Sequence, residues 1–141
     1  MNLSNITDIA VSGLIAQRAR MAATASNVAN AHTTRTASGG VYRRRDPVFR
    51  TDSIGGPFAG ELVRSIQRVQ VERVAVDPRP PIARFDPGHP DADERGYVSL
   101  PRVNLVEELA NMKSASRSYE SNLVIMRKVR EMAQAAMQIG R

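Results

Sequence analysis

Asn104-Leu105-Val106-Glu107-Glu108-Leu109-Ala110-Asn111-Met112 opens the stretch that decides the fold. An Asn followed three residues later by Glu is a helix-start signature, because the Asn side chain can accept from backbone amides that have no partner in the first turn. Acidic groups there also suit the positive end of the helix dipole. Pro101 stands just upstream, where its missing N–H does the helix no harm. From there Leu105, Leu109, Met112, Ser116, Tyr119, Leu123 and Met126 recur in steps of four and three, the spacing of a coiled-coil seam. After Met126 the row slips to Val129, Ala133 and Ala136, with Arg130 where a strict heptad would continue. Such a slip overwinds a coiled coil locally. Gly140 is a natural helix stop. The pattern predicts a helix from Asn104 to about Ile139, a rod of about 54 Å, against a mean globular helix of about 11–12 residues.

A second stripe opens the chain. Leu3, Thr7, Ala10, Leu14, Gln17, Met21, Thr24, Val28 and Ala31 alternate in the same steps, and Ile6, Ile9, Gly13 and Ala16 widen the face. The predicted helix over Leu3 to Ala31 is about 39 Å long. Many of its stripe residues are small, so a partner helix can approach closely. The segment between the helices is different in kind. It holds seven of the nine glycines and all eight prolines, a composition of turns and short strands. Val69 to Val74 alternates as a strand with one wet face. Leu62 to Ile66 reads as a neighbour in the same sheet. Tyr42 to Arg50 reads as a weaker strand or arm broken by Pro47, and Asp86 to Gly96 as a turn-rich loop. The expected plan is mainly α with a small β region. Long N- and C-terminal helices (1–31 and 104–141) form one coiled-coil-like unit, and an irregular β/loop segment (32–103) lies between them.

At 141 residues the chain suffices for one modest domain. It has no cysteine, which excludes disulfides and thiolate–metal sites. No segment approaches the apolar length of a membrane span. Met1 to Asp8 lacks a basic n-region and Asp8 interrupts the approach to Ile9–Ala16, so a cleaved secretory signal is not expected. The net charge of +6 is almost all arginine and is scattered, with Arg43-Arg44-Arg45 the one run. That composition admits an acidic protein, an anionic lipid or nucleic acid as partner. No aromatic-interleaved platform or recognition helix supports nucleic acid.

Candidate chemistry is sparse. His89 lies among Asp86, Asp91, Asp93 and Glu94, which invites a metal reading. Asp91-Ala92-Asp93 then Gly96 imitates the start of a calcium loop, but Arg95 and Arg102 stand where oxygen ligands are required. The bland reading is a solvated acidic turn. No serine sits in a nucleophile elbow, and Gly39-Gly40 and Gly55-Gly56 lack the lysine of a phosphate cradle. Glu107 and Glu108 read as first-turn helix charges. Neither catalysis nor a cofactor is expected. Asn27 and Asn30, one turn apart, are either a fraying helix end or polar seam residues that set register at a cost in stability.

Three stretches carry a resemblance. Ala25-Ser26-Asn27-Val28-Ala29-Asn30-Ala31 resembles the Ala-Ser-Asn-x-Ala-Asn signature of bacterial flagellar rod and hook proteins. Phe85-Asp86-Pro87-Gly88-His89-Pro90-Asp91-Ala92-Asp93 with Gly96-Tyr97-Val98 looks like the loop of a proximal-rod subunit. Pro101-x-Val103-Asn104 and Ser114-Ala115-Ser116-Arg117-Ser118-Tyr119-Glu120-Ser121-Asn122 are similar to the C-terminal helix of the same subunits. The chain is thus identified as a member of the flagellar basal-body rod protein family.

The resemblance implies a structural subunit, exported unfolded through the flagellar type III apparatus without a cleaved signal. It implies assembly in the periplasm into a torque-transmitting rod. The implied partners are further copies of itself, other proximal and distal rod proteins, the membrane-ring/rod adaptor and the export apparatus, with no nucleic acid and no small-molecule substrate. The assembly seam would run through Leu14, Met21, Asn27, Val28, Asn30, Leu105, Leu109, Met112, Tyr119, Asn122, Leu123, Met126 and Val129. Asp86, Pro87, His89, Pro90, Asp91 and Tyr97 would supply loop contacts. Two readings from other classes stand beside it: a basic nucleic-acid-binding module, with binding that weakens steeply in salt, and a helical-hairpin export adaptor, folded on its own.

Overall fold

The computed structural model describes residues 3–53 and 67–139. The expected strand at Leu62 to Ile66 and the helix stop at Gly140 lie outside them. Two long helices bracket two antiparallel ribbons. Helix α1 is Leu3–Ala29 and helix α2 is Leu105–Ile139. Between them come β1 (Arg45–Ser53), β2 (Gln67–Val76), β3 (Ile82–Phe85) and β4 (Tyr97–Leu100). β1 pairs with β2 and β3 with β4, as two separate two-stranded sheets. No described helix is long and apolar enough to cross a membrane.

α1 and α2 pack antiparallel in a fixed register. A Cβ placed on Gly13 would stand 2.7 Å from Asn122 Nδ2, and Asn27 bonds Glu108. Gly13 to Asn27 and Asn122 to Glu108 are equal lengths of helix, so the two helices keep step. The approach is close because Gly13 has no side chain and the buried Ala10, Ala16 and Thr24 of α1 are small. Along α2 the buried positions are Glu108, Ala115 and Val129, with Met112, Tyr119, Asn122, Met126 and Ala133 half-buried between them. These positions alternate in steps of four and three without a break. The slip inferred after Met126 therefore belongs to a different row. Leu105 and Leu109, expected at the head of the seam, are 37% and 54% exposed. The face turned toward α1 lies one residue round the helix from the leucines.

The other side of α1 meets the first ribbon. Ser12 Oγ donates to Ile9 O and accepts from Val69 N, so a helix hydroxyl satisfies an amide of β2. The Arg20 guanidinium lies 5.3 Å from the Phe49 ring centroid, a cation–π distance. β1 runs straight through Pro47, which is buried and opposite Val74, so the arm is not broken there. The sheet has two strands and each is an edge, and an edge tolerates a residue without an N–H. The irregularity falls at Val48/Phe49 instead. There Glu72 is the extra residue of a bulge, which bends and twists a strand pair.

The second ribbon is closed by the loop 86–96. Gly96 has φ +78, and a Cβ there would meet Phe85 Cε2 at 2.9 Å and Pro87 Cβ at 3.2 Å. Phe85 and Tyr97 stack edge-to-face at 5.4 Å across the strands, so the close approach at Gly96 lets the loop fold under the ring. Gly96→Ala adds both left-handed strain and this collision, a cost of about 1–3 kcal/mol. The expected outcome is local. Amide exchange at Asp86, which donates to Gly96 O, accelerates in the variant while α1 amides are unchanged. Unchanged protection at Asp86 would contradict the account of this turn.

Candidate functional site

α1 ends at Ala29 because the chain turns under its own polar groups. Asn30 Nδ2 donates to Ser26 O and Asn30 Oδ1 accepts from Thr33 Oγ1. The following loop reverses at Gly39 and Gly40, with φ of +83 and +77, a conformation glycine adopts without steric cost. Tyr42 N then donates to Thr33 O. The reversal returns Tyr42 to the end of α1, where it is buried.

Asn27 waits there, 1% exposed. Its Nδ2 donates to Arg45 O at 2.8 Å and to Glu108 Oε2 at 3.0 Å. Its Oδ1 accepts from Tyr42 OH at 2.9 Å and from Arg45 N at 2.8 Å. All the bonding capacity of the amide is used, and a flipped amide would set donor against donor. Because Tyr42 gives its proton to Asn27, Ser26 Oγ must donate to the Tyr42 oxygen, 3.0 Å away. Toward Arg45 the side chain behaves as a neighbouring strand would, bonding both the N–H and the C=O at the head of β1.

Glu108 completes the junction from α2, also 1% exposed. Asn104 caps that helix, its Oδ1 accepting from Val106 N and Glu107 N at 3.0 and 3.4 Å. The first turn is thereby fixed, and Glu108 points at α1. Its Oε1 accepts from Arg44 Nε at 2.6 Å. Arg44 Nη1 also reaches Asp46 Oδ2 at 2.9 Å, and Nη2 lies 3.9 Å from Glu107 Oε1. Burial opposes the Arg44 charge, but the bonds and fields of Glu108 and Asp46 outweigh it and raise its pKa above the ordinary value. The junction therefore ties α1, the entry to β1 and the first turn of α2 into one polar cluster. No group of three or more His, Asp or Glu side chains among the described residues is placed to hold a metal.

The basic run is split by this geometry. Arg44 is turned inward, Arg43 is exposed, and the Arg45 guanidinium sits 5.8 Å from the Tyr42 ring centroid. Of the seam residues read from sequence, Leu14, Met21, Val28, Met112, Tyr119, Asn122, Leu123 and Met126 are half-buried, Asn27 and Val129 are buried, and Leu105 and Leu109 are exposed. The four hydrogen bonds of the Asn27 side chain tie α1 to α2 through Glu108 and to the head of β1 through Arg45. Asn30 closes the helix end locally. In the loop, Asp86 and His89 are half-buried, while Pro87, Pro90, Asp91 and Tyr97 are exposed. His89 Nδ1 accepts from Asp91 N, and Asp91 Oδ2 accepts from Thr34 Oγ1 at 2.7 Å, so this turn is braced against the segment after α1.

Sequence reasoning missed Tyr42, Arg44 and Glu108. The available signal was the unbroken heptad Glu108, Ala115, Asn122, Val129. Its polar members made it look weaker than the leucine row beside it.

Two outcomes follow from the junction. Arg44→Ala leaves the Glu108 carboxylate buried without its cation. Breaking a buried pair costs 3–5 kcal/mol, and the partly exposed Arg44 places this one at the low end, about 3 kcal/mol. Denaturant unfolding measures it, and a loss under about 1 kcal/mol, the level of an exposed pair, would contradict the burial. Asp77, whose N–H donates to Arg44 O, is held at about 2, below its ordinary 3.8, chiefly by side-chain hydrogen bonds from Arg79. A folded-state value below the ordinary one gives stability that is complete above about pH 4 and lost as pH falls toward 2. Carboxyl NMR is expected to place the Asp77 midpoint near 2, and Arg79→Ala to return it toward 3.8.

Residues 8–35 match the family described as "Flagella basal body rod protein", a span that includes Asn27 and Asn30. Residues 94–139 match "Flagellar basal body rod FlgEFG protein C-terminal", a span that includes Glu108. The chain is 38% identical to a flagellar basal-body rod protein FlgC of Borreliella burgdorferi, over 99% of this chain and 98% of the relative. It is 38% identical to the FlgC of Salmonella typhimurium, over 99% of each, and 34% identical to that of Agrobacterium fabrum, over 97% and 94%. With Asn27 and Glu108 inside the two matched spans and these relatives 34–38% identical over nearly the whole chain, the chain belongs to the FlgC family of flagellar basal-body rod proteins.

Proposed function

We propose that this chain is a structural subunit of the flagellar basal-body rod that polymerises along its paired helices, and that it works mechanically rather than as an enzyme. The observation that supports assembly is the apolar surface left over once α1 and α2 have paired. Leu105, Val106 and Leu109 are 37%, 77% and 54% exposed at one end of α2, and Met132 and Met137 are 54% and 67% exposed at the other. The helix register explains the second group, because α2 outruns the start of α1 and Met137 passes beyond it. Exposed apolar rows of this extent mark protein contact surfaces.

The two ends of the helix pair are unlike one another, so a contact between one end and the other is heterologous. Such contacts do not close on themselves and propagate as rings or helices. In this reading the helices form the load-bearing wall with coiled-coil-like seams. Sliding a seam by one residue removes every knob from its hole, which resists shear under torque. The ribbons and the 86–96 loop brace neighbouring subunits, both further copies and other rod proteins, and the membrane-ring adaptor receives one end. The subunit reaches the periplasmic part of the basal body through the flagellar export apparatus.

Leu109→Asp tests the assembly surface. Leu109 is exposed in the single chain, and surface substitutions usually change stability by no more than about 0.5 kcal/mol. The monomer should therefore keep its helicity and unfolding midpoint. In a rod contact the same change buries an unpaired charge. Cells with only this variant are expected to export the subunit, fail to build rods and not swim. Normal motility would remove Leu109 from the seam.

A further inference from the structure

We infer that the Asn27–Glu108–Arg44 junction sets the rotation of α2 about its own axis and thereby decides which of two neighbouring rows packs on α1 and which stays free for assembly; the inference rests on the assembly reading above. Leu109, Ser116 and Leu123 each follow Glu108, Ala115 and Asn122 by one residue, about 100° round the helix. The two rows compete for α1. Judged by apolar area alone, the leucine row is the better partner, since it would bury two leucines in place of a carboxylate and an amide. At the head of α2 the structure turns the other row inward, with Glu108 1% and Ala115 0% exposed and Leu109 54% exposed, while Ser116, Asn122 and Leu123 are all half-buried.

Two contacts explain that choice. At one end Glu108 meets Asn27 Nδ2 and Arg44 Nε. At the other, Gly13 leaves room for the Asn122 side chain, with an added Cβ only 3.2 Å from Asn122 Cγ. Rotation toward the leucines would strip Glu108 from Asn27 and leave a buried donor unpaired. A polar group in a helix seam characteristically selects register at some cost in stability, and a buried ion pair is better suited to specifying an arrangement than to strengthening it. Glu108 is thus a positioning residue. It keeps Leu109, at the head of the leucine row, outward and available to a second copy, where an all-apolar seam would let the isolated subunit cover its own docking surface.

The absence of cysteine makes thiol labelling a clean test. Single thiols are placed at Leu109 and Val129 by Leu109→Cys and Val129→Cys, in the parent and in Glu108→Leu/Arg44→Leu, which removes both charges together. In the parent chain the thiol at 109 reacts fast and the one at 129, a position 7% exposed, reacts slowly. In the double variant labelling at 109 is expected to slow roughly tenfold and at 129 to accelerate, as a minor rotational state becomes dominant. Circular dichroism should still show the helices, and rod incorporation should be lost. An unchanged labelling pattern in a folded double variant overturns the inference. If both positions label fast because the double variant has unfolded, Glu108→Gln supplies the reading, since it keeps the shape and loses the charge. A shift of the same sign there supports the inference, and no shift overturns it. Labelling is read on the isolated chain, so its failure is separate from a failure of the assembly reading, which the motility of Leu109→Asp decides.

Discussion

One amide organises this molecule. Asn27 has a single side-chain plane with two donors and two acceptor sites, and α1 offers it to three other parts of the chain at once. Tyr42 and the Arg45 N–H meet its oxygen, and Glu108 and the Arg45 C=O meet its nitrogen. Each of those partners is costly to leave buried and unbonded. The arrangement is therefore cooperative: β1 cannot leave α1 without orphaning the amide, and α2 cannot turn without orphaning the carboxylate. The apolar contacts are weaker constraints on position. Ala10, Ala16 and Ala115 bury little area each and would tolerate small slides, whereas hydrogen bonds of 2.6–3.0 Å do not.

The large divisions of the fold were legible because they rest on periodicity. Steps of four and three over dozens of residues permit only long helices, and Asn104 with Glu107 marked where the second begins. The Pro- and Gly-rich middle read as short strands and turns, although β1 and β2 run to 9 and 10 residues. Val69 to Val74 read as a strand because its alternation is local, and the strand itself is longer, Gln67–Val76. Pro47 misled because it was weighed as a breaker, while a two-stranded ribbon has only edges.

The site was harder to read, for a physical reason. Hydrophobic pattern ranks faces by apolar content, so it favoured Leu105, Leu109 and Leu123 over a face containing Glu108 and Asn122. Tertiary partners reversed that ranking, and Arg44, the residue that makes Glu108 tolerable inside, lies far away in sequence. Asn27 was visible as a polar group in an apolar stripe, but its partners were not, since they arrive by way of the Gly39–Gly40 reversal. The exposed leucines gain a meaning from the same comparison. In the assembly reading proposed above, Leu105 and Leu109, exposed in the single chain, are the part of that row left for a neighbouring subunit. A double-mutant cycle between Asn27 and Glu108 tests the central claim most directly. Asn27→Ala, Glu108→Ala and the double variant are compared by denaturant unfolding. If one cooperative junction joins the helices, the two losses are not additive and differ by about 1–3 kcal/mol. Additivity within about 0.5 kcal/mol would mean that Asn27 and Glu108 act independently, and that small-residue packing alone sets the register.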